Sequence, residues 1–172
     1  MNKVLELDAR LSAGLRVAEQ PGLLRTVAGI LAHSGDSWFW LVGLGILWVF
    51  GSSYWKSHAL ALAVGILVTA LVVMAIKFTV RRRRPEGEWG NIYRRTDPHS
   101  FPSGHAARAA MLVVMAANLG PPWLFMVLVP WALAVILARV IMGVHYVSDV
   151  LAGAGLGMLM GILIIRFVPG WV

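Results

Sequence analysis

The 172-residue chain contains no cysteine, and only 13% of its residues are charged. The lack of cysteine excludes disulfide bonds, cysteine-ligated zinc sites and thiol nucleophiles. The low charge accompanies a hydrophobic share of 59%, whereas soluble domains average about 45–50%. A domain of this size leaves too much surface exposed to bury so many apolar side chains in one soluble core. Because one spanning helix needs about 20 apolar residues, the composition predicts a single membrane-embedded domain over residues 1–172 with about five spans.

Acidic residues are also scarce, since eight of them oppose 15 lysines and arginines and leave a net charge of +7. An excess of basic residues can bind nucleic acid, an anionic lipid or an anionic substrate. The positions of the basic residues must therefore decide which partner they serve. No group of His, Asp and Glu has the spacing of metal ligands, so we expect neither a metal site nor a cofactor.

The first 22 residues are charged on one side and apolar on the other. Apolar side chains recur with helical spacing from Val4 to Ala18, which predicts an amphipathic helix over residues 1–22. This helix either lies on the membrane surface or packs against the bundle. Residues 23–33 are apolar but short and contain Arg25, so they predict a partial or re-entrant helix, or a sixth crossing.

Longer apolar segments predict five spans, the first of them capped by Asp36 or Ser34. The predicted fold is an all-α integral membrane bundle of five or six transmembrane helices. Gly153, Gly157 and Gly161 form a smooth strip on the last span, which favours close helix packing within the chain or in a homodimer. The predicted spans are 37–55, 57–76, 104–119, 122–141 and 146–167.

Counting crossings places three polar clusters on one face of the membrane. In the first, Lys77 and Arg84 are seven residues apart, about two helical turns, and can share a helix face that ends before Pro85. Basic residues beside a span also follow from the positive-inside rule. We interpret residues 81–83 in that way, as contacts to anionic lipid or markers of the cytoplasmic side. Asp97 in the following loop is expected to be solvated.

The second cluster is the run Phe-Pro-Ser-Gly-His over residues 101–105, at the start of a predicted helix. Backbone N–H groups at a helix start can bind an anion, and Gly104 leaves room for its close approach. Ser103 could add a hydroxyl donor. The alternative is that Ser103 is only an N-cap residue beside an incidental His105.

The third cluster contains Arg139, His145 and Asp149. His145 and Asp149 are four residues apart, so on a helix they share one face. Asp149 can accept a hydrogen bond from one ring nitrogen and leave the other free as a nucleophile. The alternative is a buried pair that only holds helices together.

The three clusters together supply three cations, which suits a phosphate dianion. Over residues 77–149, the patterns Lys-x6-Arg-Pro, Pro-Ser-Gly-His and Arg-x5-His-x3-Asp resemble the three-part signature of the type 2 phosphatidic acid phosphatase family. That family usually has Ser before the arginine of the third pattern, where this chain has Ala138.

The resemblance implies a metal-independent lipid phosphate phosphatase. It assigns His145 as the nucleophile that forms a phosphohistidine, Asp149 as its orienting partner, and His105 as the acid that protonates the leaving group and then activates water. It also implies that the phosphoryl oxygens are held by Lys77, Arg84, Ser103, Gly104 and Arg139.

The implied substrate is phosphatidylglycerophosphate, phosphatidic acid, or a polyprenyl phosphate or pyrophosphate. The implied location is a cell membrane, as a multi-pass protein of the bacterial cytoplasmic membrane that binds no nucleic acid. One alternative is a small anion or lipid transporter, which would place charges near the bilayer midplane in repeated helices. The other is a catalytically silent relative. Polar residues that gather at one end of the bundle, with His105, His145 and Asp149 intact, favour the enzyme.

Overall fold

In the computed structural model, residues 3–94 and 96–167 are described. Within these ranges the chain forms helices and loops, with one isolated β-bridge between Arg83 and His99. The predicted all-α architecture is therefore confirmed. The helices are α1 (Lys3–Gly14), α2 (Leu23–Ser34), α3 (Ser37–Phe50), α4 (Ser53–Val80), α5 (Glu88–Arg94), α6 (Gly104–Leu119), α7 (Pro122–Ile141) and α8 (Val147–Phe167).

The N-terminal helix is shorter than predicted, since α1 ends at Gly14 and not near residue 22. Glycine is a weak helix former, and beyond it the chain turns so that the backbone N–H of Ala18 donates to the carbonyl of Ile141, 3.0 Å away. The apolar side chains of α1 are exposed, whereas Asp8 and Ser12 are buried against the start of α8. The polar face of α1 therefore packs against the bundle.

Three helices are long and apolar enough to cross a membrane: α4 with 28 residues, α7 with 20 and α8 with 21. Helices α2 and α3 meet at a bend of 53° and together could form a fourth, broken span. This pair includes the partial or re-entrant helix predicted over 23–33. Helix α6 has 16 residues, fewer than the about 20 of a complete span. By length and composition the described helices thus provide three or four spans, where the sequence predicted five or six.

The predicted span 37–55 is divided in the structure. Helix α3 ends at Phe50, and the extended backbone of Gly51 and Ser52 leads into α4. A Cβ at Gly51 would collide with the carbonyl oxygen of Leu47, so the missing side chain permits this sharp reversal. The break therefore lies a few residues before the predicted one.

Helix α6 lies at the centre of the bundle and packs against α4, α7 and α8. The glycine strip of α8 faces it, since a Cβ at Gly161 would lie 2.8 Å from Val114 Cβ, and one at Gly157 would overlap the carbonyl oxygen of Ala107. The strip thus serves packing within the chain. The predicted homodimer through this face is contradicted, because α6 already occupies it. This packing also brings the C-terminal ends of α4 and α7 and the N-terminal ends of α6 and α8 to one end of the bundle.

Candidate active site

The three predicted clusters converge around a cavity of about 200 Å³ at the polar end of the bundle. Lys77, His105 and His145 line it together with Arg108, which lies one turn after His105 on α6. Lys77 and His145 are buried, whereas His105 is half-buried. The other motif side chains are buried but do not line the cavity: Arg84, Ser103, Arg139 and Asp149. A larger, open groove of about 810 Å³ runs along α2 and α3, and no motif residue lines it.

The predicted helix face shared by Lys77 and Arg84 is wrong, because the left-handed backbone of Arg81 ends α4 and leaves Arg84 in the following loop. Both cations of the first cluster nevertheless contact the carboxylate of Asp97. Lys77 forms an ion pair with Asp97 and donates to the carbonyl of His99 at 3.0 Å. Arg84 Nη2 donates to Asp97 Oδ2 at 2.7 Å. Burial lowers the pKa of the Arg84 guanidinium, and the Asp97 carboxylate partly offsets this effect. Asp97 is therefore not the solvated loop residue we predicted, and its carboxylate takes contacts that phosphate oxygens would otherwise make.

The second cluster forms the start of α6. Ser103 is fully buried, and its Oγ accepts a hydrogen bond from the N–H of Ala106 at 3.4 Å, which makes it the N-cap. A hydroxyl that accepts one hydrogen bond can still donate its own proton to a phosphate oxygen. Gly104 lines the cavity, and among the described residues a Cβ built there would meet just Val73 within 4 Å, at an ordinary 3.5 Å. The helix start thus leaves room beside Gly104 for an oxyanion.

His145 lies between a cation and a carboxylate. Its Nε2 is 3.1 Å from Arg84 Nη1, and its Nδ1 is 3.5 Å from Asp149 Oδ2. Nδ1 has no hydrogen-bond partner of good geometry among the described residues. The fully buried Asp149 carboxylate accepts from the N–H of Tyr146 at 2.9 Å. This arrangement leaves Nε2 facing the cations, where a phosphoryl group would bind, and Nδ1 facing Asp149.

Arg139 is a buried cation without a carboxylate partner in the described part of the chain. Its Nη1 donates to Tyr93 Oη at 3.2 Å, its guanidinium lies 4.6 Å from the Tyr93 ring centroid, and its Nε has no partner. A buried guanidinium with free donors is costly unless an anion satisfies it. The preceding Ala138 packs among Ala28 and Ala32 of α2, so no hydroxyl accompanies this arginine.

Arg82 is a site residue that the sequence analysis missed. Its Nη1 donates to Asp149 Oδ1 and its Nη2 to Asp8 Oδ2, both at 2.7 Å. Burial by itself raises the pKa of the Asp8 carboxyl, but hydrogen bonds from Ser148 and Arg82 outweigh it and lower the pKa below its ordinary value of 3.8. Nothing in a run of four arginines singles out Arg82. The Arg82 side chain reaches Asp8 and Asp149 because the chain turns just before it, at Arg81, whose left-handed backbone with φ of 52° ends α4.

The bend between α2 and α3 supplies a further contact that the sequence analysis missed. Asp36 Oδ1 lies 2.7 Å from His105 Nε2, and the carbonyl of Gly35 accepts a hydrogen bond from Arg108. We predicted Asp36 or Ser34 as a helix cap. Asp36 does precede α3, but its side chain makes no capping hydrogen bond there.

Comparison with known proteins decides the family. The sequence profile of the PAP2 superfamily matches residues 58–172 and so includes all three clusters. The chain belongs to the PAP2 superfamily. The family that the motifs indicated is thereby confirmed.

Named members of the PAP2 superfamily resemble most of this chain. A decaprenylphosphoryl-5-phosphoribose phosphatase of Mycobacterium tuberculosis (strain ATCC 25618 / H37Rv) is 34% identical over 92% of this chain and 88% of its own length. Phosphatidylglycerophosphatase B of Bacillus subtilis (strain 168) is 30% identical over 96% of this chain and 85% of its own. These relatives confirm the predicted class of enzyme, a lipid phosphate phosphatase.

Two solved structures share the fold of this chain. The transmembrane PAP2-type phosphatidylglycerolphosphate phosphatase of Bacillus subtilis superposes with a TM-score of 0.77 at 28% identity, covering 97% of this chain and 87% of that one. LpxE of Aquifex aeolicus superposes with a TM-score of 0.71 at 24% identity, covering 95% and 94% of the two chains, and shows likeness of fold alone.

Proposed function

We propose that this PAP2 protein hydrolyses the phosphate of a membrane lipid through a phosphohistidine on His145, without a metal ion. The observation that carries the proposal is the burial of three cations beside His145. Lys77 lines the same cavity as His145, Arg84 Nη1 lies 3.1 Å from His145 Nε2, and the carbonyl of Arg139 accepts a hydrogen bond from the N–H of His145 at 3.2 Å. Three buried cations, one of them without a carboxylate partner among the described residues, fit a phosphate dianion. Phosphoryl transfer depends mainly on positioning and on stabilising charge, and this cluster supplies both.

In the first step, the lone pair of His145 Nε2 attacks phosphorus. The N–P bond forms while the P–O bond to the lipid breaks, and His105 gives a proton to the leaving oxygen. Asp149 faces Nδ1 at 3.5 Å and stabilises the positive charge that develops on the His145 ring. The Asp97 carboxylate must move away from Lys77 and Arg84 as the phosphate binds, because the carboxylate and the phosphate are both anions that compete for the same donors.

In the second step, a water molecule attacks phosphorus and gives its proton to His105, which is now neutral. The N–P bond breaks, its electron pair returns to Nε2, and orthophosphate leaves. The same cations and the start of α6 stabilise the negative charge in both steps.

The residues in this region support the metal-independent mechanism. Lysine and arginine side chains provide the positive charge that a metal ion provides in other phosphatases.

We further propose that the leaving group carries a lipid chain. Beyond Lys77 the cavity is lined by apolar side chains of α4, among them Ile66, Ala70 and Val73. A lipid whose phosphate binds beside Lys77 would therefore place its apolar part against these side chains. Phosphatidylglycerophosphate, phosphatidic acid and polyprenyl phosphates or pyrophosphates share this chemistry. The relatives named for decaprenylphosphoryl-5-phosphoribose and phosphatidylglycerophosphate support it. The apolar helices support a multi-pass membrane protein, which we place in the bacterial cytoplasmic membrane.

The test is phosphate release by the detergent-purified protein in excess EDTA, with each of these lipids as substrate. Trapping with ³²P-labelled lipid should label wild-type protein with an acid-labile, base-stable phosphate. His145→Ala should abolish both turnover and labelling. His58→Gln is a matched control, because His58 contacts backbone carbonyls at Tyr54 and Leu119, outside the cavity. Unchanged turnover in His145→Ala, or activity that requires added metal, would refute the mechanism.

A further inference from the structure

The bend between α2 and α3 contacts the catalytic region from outside the residues that the PAP2 profile covers. Gly35 and Asp36 lie at the bend, whereas the profile begins at residue 58. From the bend, Asp36 contacts His105 and Gly35 contacts Arg108, so both contacts reach the first turns of α6. The family motifs assign no role to either residue.

The position of the bend is fixed by close packing. A Cβ at Gly35 would lie 2.9 Å from Val135 Cγ1 and 3.2 Å from His105 Cδ2, so glycine permits this close approach. Two indole N–H groups hold the preceding residue: Trp40 donates to the carbonyl of Ser34 at 3.0 Å, and Trp131 donates to its hydroxyl at 2.9 Å. The Asp36 carboxylate is therefore presented to α6 from a well-anchored turn.

We propose that Asp36 is the positioning residue of His105, holding its Nε2–H so that Nδ1 is the nitrogen that protonates the leaving oxygen. The proposal rests on the proposed function, in which His105 supplies this proton. Asp36 Oδ1 faces His105 at 2.7 Å, while Oδ2 faces the exposed His33 at 3.1 Å. One carboxylate oxygen is thus devoted to the His105 ring. The site then contains two Asp–His pairs, one for the nucleophile and one for the acid.

The charges near His105 explain why it needs a carboxylate in direct contact. Arg108 on α6 and Arg139 on α7 oppose a positive charge on its ring, and Lys77 lines the same cavity from α4. An acid that must give up a proton has to hold it first. Asp36 accepts the Nε2–H in both protonation states, and it stabilises the imidazolium before Nδ1 donates its proton. After the donation, the Nδ1 lone pair can take a proton from the attacking water.

Dependence on the leaving group tests this role. A lipid alkoxide needs a proton to leave, whereas 4-nitrophenolate leaves readily without one. General acid catalysis contributes about 10²–10⁴-fold, and Asp36→Asn should remove part of it. We expect single-turnover release of the lipid alcohol to slow by about 10–100-fold. The burst of nitrophenolate from 4-nitrophenyl phosphate, which reports only the first step, should slow by less than about 3-fold.

Four further variants make the outcome decisive. His33→Gln removes the exposed partner of Asp36 and should leave both rates within about 2-fold of wild type, since an exposed pair contributes little. His105→Ala should show the same dependence on the leaving group as Asp36→Asn, and the double variant should be no slower than His105→Ala. Asp36→Glu keeps a carboxylate at this position, so it should slow release of the lipid alcohol less than Asp36→Asn does. If Asp36→Asn fails to fold, Asp36→Glu takes its place in the comparison of the two substrates.

Equal slowing of both substrates by Asp36→Asn, or no slowing of either, would overturn the positioning role. A loss in His105→Ala that does not depend on the leaving group would refute His105 as the acid. Retained turnover in His145→Ala would instead refute the proposed function itself.

Discussion

Removing the Asp97 carboxylate should strengthen the binding of orthophosphate to the ligand-free protein. In the structure, Asp97 pairs with Lys77 and also accepts a 2.7 Å hydrogen bond from Arg84. A phosphate dianion needs the same donors and must displace this carboxylate. Asp97→Asn keeps the shape of the side chain but removes the competing charge.

The size of the effect follows from the exposure of the pair. A hydrogen bond to a charged group contributes about 1.5–3 kcal/mol when buried, and an exposed ion pair about 0–1 kcal/mol. The Asp97 side chain is 36% exposed while Lys77 and Arg84 are almost fully buried, so we take an intermediate value of about 1–2 kcal/mol for the competition. By the relation of about 1.4 kcal/mol per tenfold, orthophosphate should inhibit Asp97→Asn about 5–30-fold more strongly than wild type.

Two measurements check this prediction. The first is the inhibition constant of orthophosphate, and the second is the melting temperature in detergent with and without phosphate. Without its carboxylate the cation cluster repels itself, so the variant should melt lower than wild type and recover when phosphate is added. Glu88→Gln is the matched control, since Glu88 pairs with Arg25 at the surface. An inhibition constant that is unchanged or higher in Asp97→Asn would refute the competition.

Three further predictions follow from particular contacts. Arg139→Lys should lower kcat/KM for phosphate release by about 10–100-fold, because lysine loses both the planar fork and the stacking on Tyr93; a change below 2-fold would contradict a phosphate contact. Asp8→Asn should lower the unfolding free energy at pH 7 by about 1–3 kcal/mol. The folded pKa of Asp8 is depressed, so its contribution is complete above the unfolded value of 3.8 and is lost as the pH falls through the folded value. The gap between wild type and variant in unfolding experiments should therefore close in acid, and a gap that widens would contradict the assignment. Gly157→Ala should destabilise the protein by about 1–3 kcal/mol, whereas Gly155→Ala, which meets open space, should not; equal melting temperatures would contradict the packing of α8 on α6.

The residues of the three clusters could be found from sequence because local spacing carries their chemistry. Lys77 and Arg84 are seven residues apart and His145 and Asp149 are four apart, so the spacing of each pair could be read without knowledge of the fold. The helix face predicted for each pair was wrong, because α4 ends at Val80 and α8 begins at Val147. Counting apolar spans was enough to bring the clusters to one end of the bundle, where the cavity lies. The predicted number of spans was too high, because α6 has only 16 residues and α3 ends at Phe50, just before Gly51.

Contacts between segments distant in sequence could not be predicted. Asp36 meets His105 across 69 residues, and Arg82 meets Asp149 across 67. A loop carboxylate such as Asp97 has no periodic pattern that marks its partner. The direction of each of these side chains depends on a bend, a left-handed residue or a loop path. Such features are set by packing between helices and not by local preference.

The sequence by itself determined that this is an apolar, helical, basic protein with a phosphate-binding signature, because composition and short-range spacing are properties of the chain alone. The tertiary structure decided which charges meet. It packed the glycine strip against α6, placed Asp97 between two cations, and brought Asp36 to His105. Burial makes these pairings matter, because a charge removed from water must find a partner, and only the folded chain decides which one it finds.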